Sequence, residues 1–86
     1  MSDHKLTTEQ VAGFIQHLKN EERVSGTLEK YQRDVVHFSQ WLEGRSVTKE
    51  LALEWKEHLR EGGYQPVTVN SMLAVINSFF RFVGWE

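Results

Sequence analysis

The sequence contains no cysteine, and this absence removes several kinds of chemistry. Without thiols there is no disulfide framework, no thiolate metal site and no cysteine nucleophile, which favours an intracellular, cytoplasmic location. No apolar run approaches the length of about 20 residues that crosses a bilayer, and the N-terminal MSDHKLTTEQ has no apolar signal core. We therefore expect a soluble protein with no membrane partner.

Proline is almost absent as well, and β-structure has little support. The only proline is Pro66, and no run alternates apolar and polar residues as a half-buried strand would. No internal repeat or low-complexity tract is present, and a chain of this length is sufficient for one small core. We expect a single all-α domain over residues 1–86.

Carboxylates are missing from one long segment, although acids outnumber bases overall. The chain has 12 Asp and Glu against 10 Lys and Arg, for a net charge of −2, which argues against nonspecific binding of nucleic acid by the whole surface. Residues 65–85 nevertheless contain one arginine and no acid. Local charge can therefore differ from the total.

Apolar spacing and helix-end signals predict four helices. Thr7 and Gln10 have the spacing of a capping box, so the first helix begins there and ends around KNEER. The second begins within SGTLEKY, where Ser25 and Thr27 are N-cap candidates, and Gly44 is suited to close it.

The third helix follows the N-cap candidate Thr48 and ends at Gly62 and Gly63, and the fourth begins at Pro66 and ends before Gly84. The apolar stripes of the four helices are expected to form the core. They comprise Val11, Phe14, Ile15, Leu18, Leu28, Tyr31, Val35, Phe38, Trp41, Leu42, Leu51, Ala52, Trp55, Leu59, Val69, Met72, Leu73, Ile76, Phe79, Phe80 and Val83.

The outer faces of helices three and four differ in character. Helix three carries a mixed, mostly acidic set that belongs in water: Lys49, Glu50, Glu54, Lys56, Glu57, Arg60 and Glu61. Helix four carries a small, nearly neutral set: Asn70, Ser71, Ala74, Asn77, Ser78 and Arg81. The second surface allows a partner to approach closely.

Catalytic chemistry is not indicated by any residue pattern. The four histidines include no i, i+4 pair, and Glu54 and His58 lack a third metal ligand nearby in the sequence. Tyr31 lies in an apolar stripe, which favours a core residue over a nucleophile, and no glycine-rich phosphate loop exists. We predict no catalytic residue, no metal and no cofactor.

The aromatic residues near the C-terminus admit two interpretations. Phe79, Phe80, Phe82 and Trp85 could form a stacking platform for single-stranded nucleic acid. Their helical spacing favours the core instead, with Phe82 and Trp85 the least determined.

Two segments resemble the N-terminal core-binding (SAM-like) domain of the tyrosine recombinases, the phage-integrase family. They are SGTLEKYQRDVVHFSQWL and QPVTVNSMLAVINSFFRFVGW. The first matches the family pattern at Ser25, Thr27, Tyr31, Asp34, Phe38, Trp41 and Leu42, and the second at Thr68, Asn70, Leu73, Phe79, Phe80 and Arg81. The resemblance covers about residues 7–86 and keeps the family's order and spacing.

The resemblance implies a compact four-helix domain that forms half of a clamp around duplex DNA at a recombination core site. Helices two and four would face the major groove, while a separate catalytic domain, absent from this chain, performs cleavage and strand exchange. That domain and other recombinase protomers would be the protein partners. The residues implied in DNA contact are Ser25, Thr27, Lys30, Arg33, Thr68, Asn70, Ser71 and Asn77.

This resemblance accounts for the acid-free segment, because carboxylates on helix four would face phosphates and weaken binding by like-charge repulsion. The chain also departs from the family. Basic residues often occur where this chain has Ser71, Met72 and Asn77, and each missing phosphate contact weakens binding. We therefore predict that the domain alone binds DNA poorly.

Other interpretations remain open from the sequence. The neutral face of helix four could dock a partner helix, as in a helical protein-interaction module. A stand-alone helix-turn-helix repressor would need a more basic recognition helix. Ser25, Thr27 and Thr68 could serve only as helix caps, and Lys30 and Arg33 could be merely solvated, whereas neither Asn70 nor Ser71 favours a helix interior.

Overall fold

Four α-helices and no strand make up the part of the chain that the structure describes, as the periodicity predicted. The computed structural model describes residues 4–21 and 25–85, except for the side chain of Ser25. The helices are α1 (Thr8–Asn20), α2 (Ser25–Leu42), α3 (Lys49–Glu61) and α4 (Pro66–Val83).

The predicted N-terminal caps of α1 and α3 are confirmed. The Thr7 hydroxyl accepts a hydrogen bond from the Gln10 amide at 3.1 Å, and the Gln10 side chain accepts one from the Thr7 amide at 2.9 Å. The Thr48 hydroxyl accepts from the Leu51 amide at 3.1 Å. Each bond satisfies an amide that has no acceptor within its own helix.

The helix ends also lie at the predicted glycines. Gly44, Gly63 and Gly84 have φ angles of 81°, 89° and 81°, in the left-handed region where a Cβ atom is unfavourable. The α2 helix ends before Glu43, which also has a positive φ, of 50°. The Arg45 side chain then donates to the carbonyls of Trp41 and Leu42, which helps close this end.

The helix α4 is central, because it packs against α1, α2 and α3. Its buried arc is wider than the sequence analysis predicted, since it includes Val75, which is 2% exposed. By length and a mean hydropathy of 1.2, α4 is also the one described helix that could cross a membrane, which the search for apolar runs did not anticipate. Its buried residues belong to the core of the four-helix fold, which explains its apolar character.

Aromatic side chains join the helices across the core. Phe38 of α2 packs edge-on against Trp55 of α3 and Phe80 of α4, with ring centroids 5.3 and 5.9 Å apart. Phe14 of α1 meets Phe79 of α4 at 5.4 Å. Such pairs contribute about 0.5–1.5 kcal/mol each beyond their buried area.

Phe82 and Trp85, whose positions the sequence determined least, both pack against other aromatic rings. Trp85 is partly buried, stacks on the His4 ring at 5.0 Å and packs against Phe80 at 5.7 Å. Phe82 is 39% exposed and lies against Phe14 and the ring of His17. The core interpretation of the aromatic residues therefore describes this structure better than a stacking platform.

Candidate nucleic-acid interface

A groove of about 350 Å³ separates α2 from the first turns of α4. Its walls are Lys30, Arg33, Asp34, His37, Tyr64, Val67, Thr68, Ser71 and Met72. We call it the α2/α4 groove. Four of the residues implied in DNA contact meet here, namely Lys30, Arg33, Thr68 and Ser71.

A buried carboxylate organises the α2 side of this groove. Asp34 is 4% exposed, and its Oδ2 accepts a hydrogen bond from Lys30 Nζ at 2.6 Å. The Arg33 Nε lies 4.0 Å from Asp34 Oδ1, while 73% of the Arg33 side chain is exposed. An ammonium group has three donors, so Lys30 keeps donors for a second partner while it holds Asp34.

The start of α4 supplies the opposite wall. Gln65 is the N-cap and makes no side-chain capping bond, Pro66 occupies the first turn, and this turn contains no acid. Thr68 lies inside the helix, so the alternative in which it serves only as the N-cap is wrong. The first-turn amides lack acceptors within α4 and form the positive end of its dipole.

A second groove, of about 330 Å³, lies on the other side of the same turn. We call it the α3/α4 groove, and its walls are Lys56, Arg60, Tyr64, Pro66, Val69 and Asn70. The predicted contact residue Asn70 therefore faces two cations from α3. Val67 and Thr68 line one groove and Pro66 and Val69 the other, so the first turn of α4 forms a ridge with cations on either side.

Lys56 and Arg60 were not predicted as functional residues. The sequence analysis assigned them to the charged outer face of α3; both are exposed as expected, yet they also border α4. Their i, i+4 spacing shows that they share a face, but it does not show which neighbour that face meets. Arg60 Nη1 also lies 3.4 Å from Glu57 Oε1 on the exposed surface.

Two further predicted contact residues, Thr27 and Asn77, line neither groove. Thr27 is half-buried at the third position of α2, and Asn77 is exposed further along α4. The side chain of Ser25 lies outside the described residues. Both Ser25 and Thr27 fall within α2 as the structure describes it, and the residues just before Ser25 lie outside the described ones.

Within residues 4–21 and 25–85, no three histidine or acidic side chains come together as potential metal ligands. The histidine rings pack against aromatic residues instead. His37 meets the Trp55 ring edge-on at 5.1 Å, and His58 stacks on Trp55 at 5.5 Å. The His37–Trp55 contact joins α2 to α3, whereas His58 and Trp55 both belong to α3.

Residues 11–86 match the model of the phage integrase N-terminal SAM-like domain. The chain belongs to this family, the N-terminal domain of the tyrosine recombinases, as the two sequence segments indicated. It is also 35% identical over 82 residues to a protein named tyrosine recombinase XerC from Roseiflexus castenholzii (strain DSM 13941 / HLO8). That alignment covers 87% of this chain and 26% of the relative, so the chain spans about a quarter of the relative's length. No solved structure gives a significant match.

Proposed function

We propose that this chain is the DNA-binding module of a site-specific tyrosine recombinase and contacts duplex DNA through α2 and α4. The α2/α4 groove carries this proposal, because it brings together Lys30, Arg33, Thr68 and Ser71 from two distant parts of the chain. Cations and hydroxyl groups are the common donors to phosphate oxygens. A groove that joins them across two helices fits a nucleic-acid backbone.

The distribution of charge supports the same surface. Among the described residues, Asp34 is the one acid that lines either of the two grooves, and its charge is offset by Lys30. Of the acids of α3, Glu50, Glu54 and Glu61 are exposed and line neither groove. A net charge of −2 is therefore compatible with a locally cationic surface.

In the whole recombinase this domain positions DNA, and a separate catalytic domain performs cleavage and strand exchange. The chain has no proposed catalytic residue and needs no cofactor for this role. Its partners are duplex DNA at the core recombination site, the catalytic domain and neighbouring recombinase protomers. DNA binding and recombination take place in the cytoplasm, where the DNA of a mobile element or chromosome is accessible.

The test is an NMR titration of the labelled chain with a mixed-sequence DNA duplex at low and then physiological salt. We expect the largest changes in amide chemical shift at residues 30–37 and 64–71. These changes should diminish as the salt concentration rises, because phosphate contacts release counterions. The amides of α1 serve as an internal reference that stays in place.

Two exposed arginines provide matched variants. Arg33 lines the α2/α4 groove, whereas Arg81 lies near the end of α4, outside both grooves. Arg33→Ala should weaken binding, and Arg81→Ala should leave it nearly unchanged. If residues 30–37 and 64–71 do not shift at low salt while the chain remains folded, DNA binding by this surface is refuted, and the exposed face of α4 becomes a candidate for docking a protein.

A further inference from the structure

The first turn of α4 holds an apolar side chain out in solvent. Val67 is 72% exposed, more than the other large hydrophobic residues that the described surface exposes, which are Val36, Leu53, Tyr64 and Phe82. It therefore adds little to the core. Valine is also a weaker helix former than alanine, so helix formation does not explain its presence either.

The surroundings of Val67 distinguish it from an isolated surface hydrophobic residue. It lines the α2/α4 groove with Thr68 and Ser71, and Tyr64, 42% exposed, lies beside it. Leu53 is 66% exposed but lines neither of the two grooves. Of the two aliphatic side chains that line the α2/α4 groove, Met72 is buried and Val67 is exposed beside cations and hydrogen-bonding groups.

The placement of cations on both sides of the ridge suits the major groove of DNA. Lys30 and Arg33 lie on one side of the first turn of α4, and Lys56 and Arg60 lie on the other. A major groove about 12 Å wide admits a helix and is bordered by phosphates on both edges. If these cations met the two backbones, the exposed Val67 between them would lie at the edges of the bases.

We propose that Val67 contacts the 5-methyl group of a thymine and so gives this surface a preference for A·T pairs at that position. The inference rests on the proposed function. Among base edges in the major groove, the thymine methyl is the apolar group, and apolar side chains are its usual partners. Cytosine would place its amino group against Val67, where it loses water without gaining an acceptor.

The size of the preference follows from the area of one methyl group. Burial of one methyl-sized group corresponds to an affinity change of about fourfold. Phosphate contacts therefore supply most of the binding free energy, and the methyl contact adds a small preference for one DNA sequence over another. Removal of the thymine methyl should have a measurable but limited effect.

The experiment begins by enriching duplexes that bind the chain from a randomised pool. Each thymine of an enriched duplex is then replaced in turn by deoxyuridine, which lacks only the methyl group. We expect this replacement to lower the affinity about fourfold at one or two positions and to leave the affinity unchanged at the others.

Val67→Ala is the diagnostic variant, and Leu53→Ala is the matched control. Both remove an exposed apolar side chain from a helix and place alanine, a strong helix former, so both should fold. With Val67→Ala, thymine and deoxyuridine duplexes should bind equally at the sensitive position. With Leu53→Ala, the about fourfold difference should persist.

The failures of the two proposals are distinguishable. If the chain binds duplex DNA but no deoxyuridine substitution changes its affinity, the thymine contact is refuted and the DNA-binding function stands. The same conclusion follows if Val67→Ala retains the full sensitivity to deoxyuridine. If no duplex binds at low salt, the proposed function is refuted, and the thymine contact with it.

Discussion

Lys30 has two roles at the scale of a single residue, because it holds a buried acid and borders the proposed DNA surface. Its Nζ donates to Asp34 at 2.6 Å, while 35% of its side chain remains exposed. Arg33 lies near the same carboxylate but at 4.0 Å and with 73% of its side chain exposed. The two cations can therefore be separated by experiment.

We predict that Lys30→Ala lowers both stability and DNA affinity, whereas Arg33→Ala lowers only DNA affinity. Without Lys30, Asp34 is a buried charge whose nearest remaining cation is poorly placed, which should cost about 1–3 kcal/mol. Loss of the exposed Arg33 should change stability by less than about 0.5 kcal/mol. Urea denaturation followed by circular dichroism measures this difference, and equal midpoints for the two variants would contradict the structural role of Lys30.

The sequence identified Asp34 as part of a family pattern but could not reveal its burial. The residue lies one position before Val35, which is fully buried, and next to the exposed Arg33. Helical periodicity places it near the edge of the apolar stripe, and the packing of α4 against α2 decides that this edge is covered. The pairing with Lys30 could have been expected from the i, i+4 spacing.

At the scale of the helices, local signals determine where α1, α3 and α4 begin. Thr7, Thr48 and Pro66 occupy the predicted positions because capping bonds and the fixed φ of proline act within one turn. The position of one helix against another is not local. Lys56 and Arg60 were assigned to open solvent for this reason, although they border the first turn of α4.

Adjacent threonines at the start of α1 test the cap directly. Thr7→Ala removes the hydroxyl that accepts from the Gln10 amide, and we expect a loss of about 1 kcal/mol. Thr8→Ala changes an exposed residue inside the first turn and should alter stability by less than about 0.5 kcal/mol. Thermal denaturation of both variants is the measurement, and a larger loss from Thr8→Ala would contradict the capping assignment.

At the scale of the whole molecule, residues near the two limits of the described chain meet through contacts that no local pattern encodes. The Val47 amide donates to the His4 carbonyl at 2.7 Å, and the His4 ring stacks on Trp85. These residues are far apart in the sequence, so their meeting depends on the completed packing of four helices. This is why Trp85 could not be assigned from periodicity, whereas the central core residue Phe79 could.

The salt dependence of DNA binding reflects the number of cations on the whole surface. If Lys30, Arg33, Lys56 and Arg60 each neutralise one phosphate, the slope of log K against log salt should be about −3.6, at −0.9 for each contact. A slope this small is consistent with weak binding by the domain alone. Tethering to a catalytic domain would raise the effective concentration and compensate for the missing contacts.

A single added basic residue should therefore strengthen DNA binding if it is placed in the α2/α4 groove. Ser71→Lys introduces an ammonium into the groove that Lys30 and Arg33 line and should steepen the slope by about 0.9. Ala74→Lys adds the same charge to an exposed position of α4 that lines neither groove, and its slope should change less. Fluorescence anisotropy over a salt series measures both variants. Equal gains would mean that net charge controls the binding, whereas a gain confined to Ser71→Lys would place the phosphate in the α2/α4 groove.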